Sequence, residues 1–201
     1  MTKATADAVL QFWFGSEQDD TKTAEQQNKL WWSKDDAVDQ AISSRFKNST
    51  LAAANGELDE WAEQPRDLLA LILLTDQFPR NMYRGLPTSF AFDALALQWS
   101  LIALDHGFER HLRPIERVFL YLPLEHSEVL EHQHRSVALF EQLLQDVPAA
   151  HKQTFSGFVQ FAIRHRDIVA RFGRFPHRNA IFGRDSTAEE LAFLQTAGSS
   201  F

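Results

Sequence analysis

The chain contains no cysteine. That excludes a disulfide framework, a thiolate metal site and a cysteine nucleophile, and it makes a reducing, cytoplasmic setting the expectation. Long hydrophobic runs are missing too. The two longest, Leu68 to Leu74 and Val118 to Leu124, are seven residues each, far short of the roughly 20 that span a bilayer. The first residues carry one early lysine, Asp7 and no small-residue cleavage site behind an apolar stretch, so they do not read as a signal peptide. Positive charge is scarce, with 20 basic against 27 acidic side chains and a net charge of −7. A generic nucleic-acid binder held by phosphate neutralisation is therefore excluded, and no membrane partner is expected. Gly-x-Ser-x-Gly, a Rossmann fingerprint, a P-loop and His-Glu-x-x-His are all absent, and no cofactor is assigned.

What the chain does have is ordinary globular material, 44% hydrophobic and 12% aromatic in 201 residues, enough for one all-helical domain over residues 1–201. Its charge is unevenly spread. Residues 1–67 hold 13 acidic and 7 basic side chains, and five of the six lysines. Residues 68–201 hold 14 acidic and 13 basic, of which only Lys152 is not arginine. Arginine's planar fork suits paired contacts with carboxylate or phosphate and stacking on rings, so the second part reads as a place of specific pairing. The same arginines could also do no more than brace helices.

Apolar spacing and caps predict helices throughout. Thr5 caps a segment ending at Gly15; another covers roughly Thr23 to Trp32; Asp35 caps one in which Val38, Ile42, Phe46 and Ala53 recur, stopped by Gly56. Pro65 starts the all-apolar Leu68–Leu74 helix, which should be central and should end at Phe78-Pro79. Further helices are expected from Thr88 or Ser89 to His106, from Pro114 to Pro123, from a Ser127 cap to Asp146, from Ala149 to Phe172, and after the capping box Ser186-Thr187-Ala188-Glu189. Period-two alternation is absent over any useful length. The fold class is all-α, with about eight or nine helices stacked as antiparallel pairs, although no 34- or 40-residue repeat is visible.

One internal echo stands out. Phe78-Pro79-Arg80-Asn81-Met82-Tyr83-Arg84-Gly85 resembles Phe175-Pro176-His177-Arg178-Asn179-Ala180-Ile181-Phe182-Gly183-Arg184, with the prolines 97 residues apart. Both place arginines and an asparagine at a helix end. The second copy closes a stretch from Arg164 to Asp185 that holds six arginines, two histidines and two acids. There Arg174, Arg178 and Asn179 are donors on a frame stiffened by Pro176, as an oriented phosphate or carboxylate requires; simple C-terminal capping is the competing account. His165 shares the helical spacing of Ala162 and Val169 and so should face the core, most simply as a hydrogen-bonded core histidine. In the first copy Asp76 sits in the last turn of the most apolar helix, where it needs compensation, and Arg80 and Arg84 are the partners expected. Glu125 and His126, ahead of the Ser127 cap, form a candidate acid–base pair, with His177 a third titratable candidate. Glu128 and His132, four apart, could share a metal with His165 or His177, but equally form an ordinary helix-surface pair, and no metal site is assigned.

Six strings together resemble the bacterial domain-of-unknown-function family 924: Val9 to Phe14, Trp31-Trp32, Gly56 to Asp59, Asp76 to Asn81, Leu122 to Ser127 and Arg171 to Asn179. The resemblance covers essentially the whole chain and implies a tetratricopeptide-like α–α superhelix. It implies no activity and transfers no catalytic residue. Two functions remain open. In one, Asp76, Arg80, Arg84, His165, Arg174, Arg178 and Asn179 build a pocket for a small phosphate- or carboxylate-bearing molecule, with acid–base chemistry from Glu125, His126 and His177; whether it is an enzyme is undecided. In the other, a helical scaffold binds a peptide or protein partner. Arginines gathered into two turns favour the first.

Overall fold

A computed structural model describes residues 3–200. Among them every regular element is helical. Helices α1 (Ala6–Phe14), α2 (Asp20–Trp32) and α3 (Asp36–Ala54) start at Thr5, Asp19 and Asp35, each of which accepts a backbone N–H of the first turn through its side chain. Helix α4 (Pro65–Ile72) begins on Pro65, whose missing N–H costs nothing at that position. Leu68 to Leu74 are all fully buried, because α4 is packed by α1, α6 (Asp93–Asp105) and α7 (Pro114–Glu125) at once. An aromatic cluster fills the space beside it. Phe78 meets Trp13 at 5.4 Å, Phe46 at 4.9 Å and Phe12 at 6.2 Å between ring centroids, and the Trp31 indole N–H donates to the Trp13 carbonyl at 2.9 Å.

The two expected proline stops are not stops. Beyond Ile72 the chain makes one π-helical turn, Leu73–Gln77, and continues as α5 (Phe78–Met82). A proline cannot donate to the carbonyl four residues back and its ring collides with it. Widening the turn, so that the Phe78 N–H reaches Leu73 O, accommodates Pro79 within a continuing helix. Pro123 likewise lies inside α7, which runs on to Glu125. Glu125 and His126 therefore close a helix instead of preceding one. Ser127 is not the next cap: α8 (Leu130–Asp146) has Val129 at that position, and the Ser127 hydroxyl accepts the Val129 N–H from outside the helix.

Helix α9 (Lys152–Phe172) packs on α8 and ends at Gly173, whose φ of 69° is a left-handed conformation. The short α10 (Asn179–Phe182) lies in the second Phe-Pro segment, and α11 (Ala188–Leu194) opens on a capping box made by Thr187 and Glu190, one residue later than the spacing suggested. Phe175 is fully buried in a small apolar cluster with Ile168 and Val169. No helix among the described residues is long and apolar enough to cross a membrane.

Phe78 joins the π turn to three aromatic partners, so Phe78→Ala should lower the unfolding free energy by about 3–5 kcal/mol. Urea denaturation measures this directly. A loss below about 1 kcal/mol would mean that the cluster collapses around the gap and does not anchor the turn.

Candidate functional site

The π turn carries Asp76 into the interior, where its side chain has no exposed surface. The carboxylate accepts from Gln77 Nε2 at 2.5 Å and His126 Nδ1 at 2.7 Å, and lies 3.2 Å from Arg80 Nη1. Burial opposes its charge, but the Arg80 guanidinium, His126 and the Gln77 amide outweigh burial and hold the carboxyl far below the usual range. Arg80 is itself occupied on several sides. It donates to the Asp76 carbonyl at 2.6 Å and grips Asp93 with a two-pronged contact of 2.8 and 3.0 Å.

His126 caps the end of α7. Burial and then Arg80 lower its pKa against the pull of Asp76, so the ring is neutral near neutral pH. An ionised Asp76 can only accept, which assigns the proton to Nδ1 and leaves Nε2 as the basic nitrogen. The adjacent Glu125 behaves in the opposite sense. Burial, reinforced by the Asp76 charge, pushes its carboxyl up to about 8, so it is mostly protonated at neutral pH. Its Oε1 lies 3.1 Å from His165 Nδ1, which also reaches the Phe161 carbonyl at 2.9 Å, while Oε2 is buried with no protein partner. Burial drives His165 well below the ordinary histidine value, and burial followed by Arg178 takes His177 to about 4.

The two echoing turns meet here. Arg178 is 6% exposed, and its guanidinium carbon lies 4.7 Å from the Phe90 ring centroid and 4.6 Å from that of Phe175. It reaches the Asp93 carboxylate that Arg80 holds, at a longer 3.5 Å, and Arg80 lies 5.5 Å from the Phe90 ring. Burial and then Arg80 lower the Arg178 pKa to about 10. Its Nε is buried and has no partner, so Arg178 is a charged group whose donors are incompletely used.

Arg80, Glu125, His126, His165, His177 and Arg178 all line one cavity of about 900 Å³, within the upper part of the range for small-molecule sites. Arg84 lines it as well, but is clamped on Asp39 by two contacts of 2.8 Å, with Asn81 on the same carboxylate at 2.8 Å. The expected Asp76–Arg84 pair does not form, because Asp39 in the first turn of α3 takes the guanidinium. Arg174 and Asn179 do not line this cavity. Arg174 forks onto Glu190 at 2.7 and 2.8 Å, and Asn179 donates to Ser186 at 3.0 Å. Glu128 and His132 part company: Glu128 takes Arg184 at 2.7 and 2.9 Å and the Phe175 N–H, whereas His132 meets Ser127. Among the described residues no three His, Asp or Glu side chains converge as a metal site.

Four contributors were missed from sequence. Asp93 and Asp39 carry no local motif, and Phe90, expected within the helix from Thr88 or Ser89, ends a short 3-10 turn, Pro87–Phe90, ahead of α6. Trp32 did leave a signal. Neighbours on a helix point about 100° apart, so Trp31 and Trp32 cannot share one core-facing direction. Trp31 is buried, and Trp32, 47% exposed, lines the cavity.

Glu125 makes stability depend on pH. Its folded pKa lies above the unfolded value of 4.5, so the folded state holds the extra proton and loses stability as pH rises toward 8. The lowered histidines act oppositely, losing stability as pH falls below their unfolded value of about 6.5. Between about pH 6.5 and 8 the Glu125 effect is therefore unopposed by them, and wild type should lose on the order of 1–2 kcal/mol across that window. Glu125→Gln should flatten it. Denaturation midpoints at a series of pH values read the slope, and an equally steep slope in the variant would contradict the assignment.

Curated proteins give no match to the chain. A solved structure of a protein of unknown function from Agrobacterium tumefaciens is similar, with 37% sequence identity and a TM-score of 0.80 over 94% of this chain and 96% of that one. The model of the bacterial protein family of unknown function DUF924 matches residues 9–198. The chain belongs to that family.

Proposed function

We propose that the protein is a cytoplasmic enzyme that holds a small anionic molecule in the cavity and moves a proton on it. The carrying observation is the 2.7 Å contact of Asp76, which does not itself line the cavity, with His126, which lines it together with Arg178. A carboxylate that fixes the imidazole tautomer and leaves Nε2 basic is the usual support of a general base. Glu125, next in sequence but protonated at neutral pH, supplies the complementary acid. Environments that push two titratable groups apart in this way separate the two roles, and a positioned acid or base typically accelerates a reaction about 10²–10⁴-fold.

Anion binding falls to Arg178. Arg80, Arg84 and Arg174 each fork onto a carboxylate of the protein, whereas Arg178 has only its long contact to Asp93 and an unpartnered Nε. The alternative, a tetratricopeptide-like superhelix that binds a peptide, draws on the successive packing of α7, α8 and α9. Against it, the chemistry-bearing side chains gather at one point from two turns and several helices. A peptide groove would spread them at a repeated offset along helix faces.

Thermal unfolding with inorganic phosphate or propionate tests the reading. A ligand at 100 times its Kd adds about 2.7 kcal/mol, which raises the Tm of a chain this size by roughly 5–10 °C. Wild type and Arg84→Met should show such a rise with one of these anions, and Arg178→Met should not. No rise in wild type, or an unchanged rise in Arg178→Met, removes the basis for an anion site at Arg178.

A further inference from the structure

We infer that the molecule this cavity accepts is an aromatic carboxylate, its carboxylate on the edge of Arg178 and its ring against Trp32 and Phe158. This rests on the anion reading above and goes further by naming the anion and the body attached to it.

The head is argued from charge and shape. The Phe90 and Phe175 rings lie 4.7 and 4.6 Å from the Arg178 guanidinium carbon, and packing this close favours a ligand on the N–H edge of the group. That edge matches a planar carboxylate. Two arginines, Arg80 and Arg178, line this end of the cavity and pair with the carboxylates of Asp76 and Asp93, which do not line it, and the lowered histidines and the raised Glu125 are neutral. A monoanion therefore adds one negative charge beside the one incompletely compensated cation. A phosphate dianion would add a second beside Asp76 and Asp93, in a setting where uncompensated charge is costly, and the lysine of the lining, Lys34, follows Trp32 by two residues and so belongs with the aromatic wall.

The body is argued from the opposite wall. Trp32 stacks one face nearly parallel on Phe119, at 5.9 Å and 11°, meets Trp31 edge-on at 6.1 Å and lies 6.4 Å from Phe158. A large apolar ring left 47% exposed on a cavity wall offers surface that a ligand ring can cover by extending the stack. Phe158 precedes His165 by seven residues on α9, which separates the aromatic wall from the polar end by about 10 Å along the helix. A carboxylate joined to a ring system through a short linker spans that distance, and the cavity of about 900 Å³ is far larger than a bare carboxylate or phosphate fills.

Calorimetric titration of the purified full chain with five probes tests the assignment: naphthylacetate, its neutral amide naphthylacetamide, decanoate, propionate and inorganic phosphate. Naphthylacetate should bind at least about tenfold more tightly than each of the others. Trp32→Leu keeps apolar bulk but removes the ring; it should cost naphthylacetate about tenfold and leave propionate unchanged, with its unaided melting transition showing that it folds. Arg178→Met should abolish binding of all three carboxylates. Decanoate equal to naphthylacetate, or naphthylacetate unaffected by Trp32→Leu, overturns the aromatic assignment while the anion reading stands. Tighter binding of phosphate overturns the monoanion assignment. Failure of every anion to bind overturns the anion reading itself.

Discussion

A carboxylate with no exposed surface holds this site together. Asp76 is placed inside by the π turn that Pro79 provokes, and it joins Arg80 of the same helix to His126 at the end of α7. Buried charge survives only where it is paired and hydrogen-bonded, so each partner of Asp76 is held to one geometry. Removing one member of such a group leaves an uncompensated charge, which typically costs more than the intact group contributes. The two functional consequences, a fixed imidazole tautomer and an Arg80 already spent on protein carboxylates, both follow from this one residue.

Asp93 plays the matching part for the cations. It sits at the start of α6, where the helix dipole favours a carboxylate, and it receives an arginine from each of the two Phe-Pro segments. Arg80 takes the close, forked contact, and Arg178 the longer single one. That inequality leaves Arg178 with donors to spare, while the Phe90 and Phe175 rings pack against its guanidinium. The acidic total of the chain thus conceals a small region where cations and anions are nearly balanced and one cation is short of partners.

Much of the fold could be read from the sequence because its signals are local. Caps at Thr5 and Asp35, the apolar surround of Leu68–Leu74 and the glycine stops at Gly15 and Gly56 depend on neighbours a few residues away, and the structure has them. The prolines misled for the opposite reason. Whether Pro79 and Pro123 end a helix depends on the packing that holds the chain helical on either side, and burial of Phe78 and Leu124 does so here. The candidate residues were recognisable by type, His165 by spacing and the Asp76–Arg80 pair by its four-residue separation, but the distant partners were not. Nothing near Asp76 points to His126, 50 residues on, and nothing near Arg84 points to Asp39. Pairing across such separations is a property of the folded chain, so the sequence marks the charged groups and hides their distant partners.

The central claim is that Asp76 holds His126 as a neutral ring with its proton on Nδ1 and a basic Nε2. Long-range ¹H–¹⁵N correlation of the imidazole nitrogens at neutral pH observes both nitrogens of each ring. For His126, assigned by its loss in His126→Gln, the account predicts a protonated Nδ1 and an unprotonated Nε2, with that preference lost in Asp76→Asn. A His126 ring protonated on both nitrogens at neutral pH, or protonated on Nε2 alone, would contradict it.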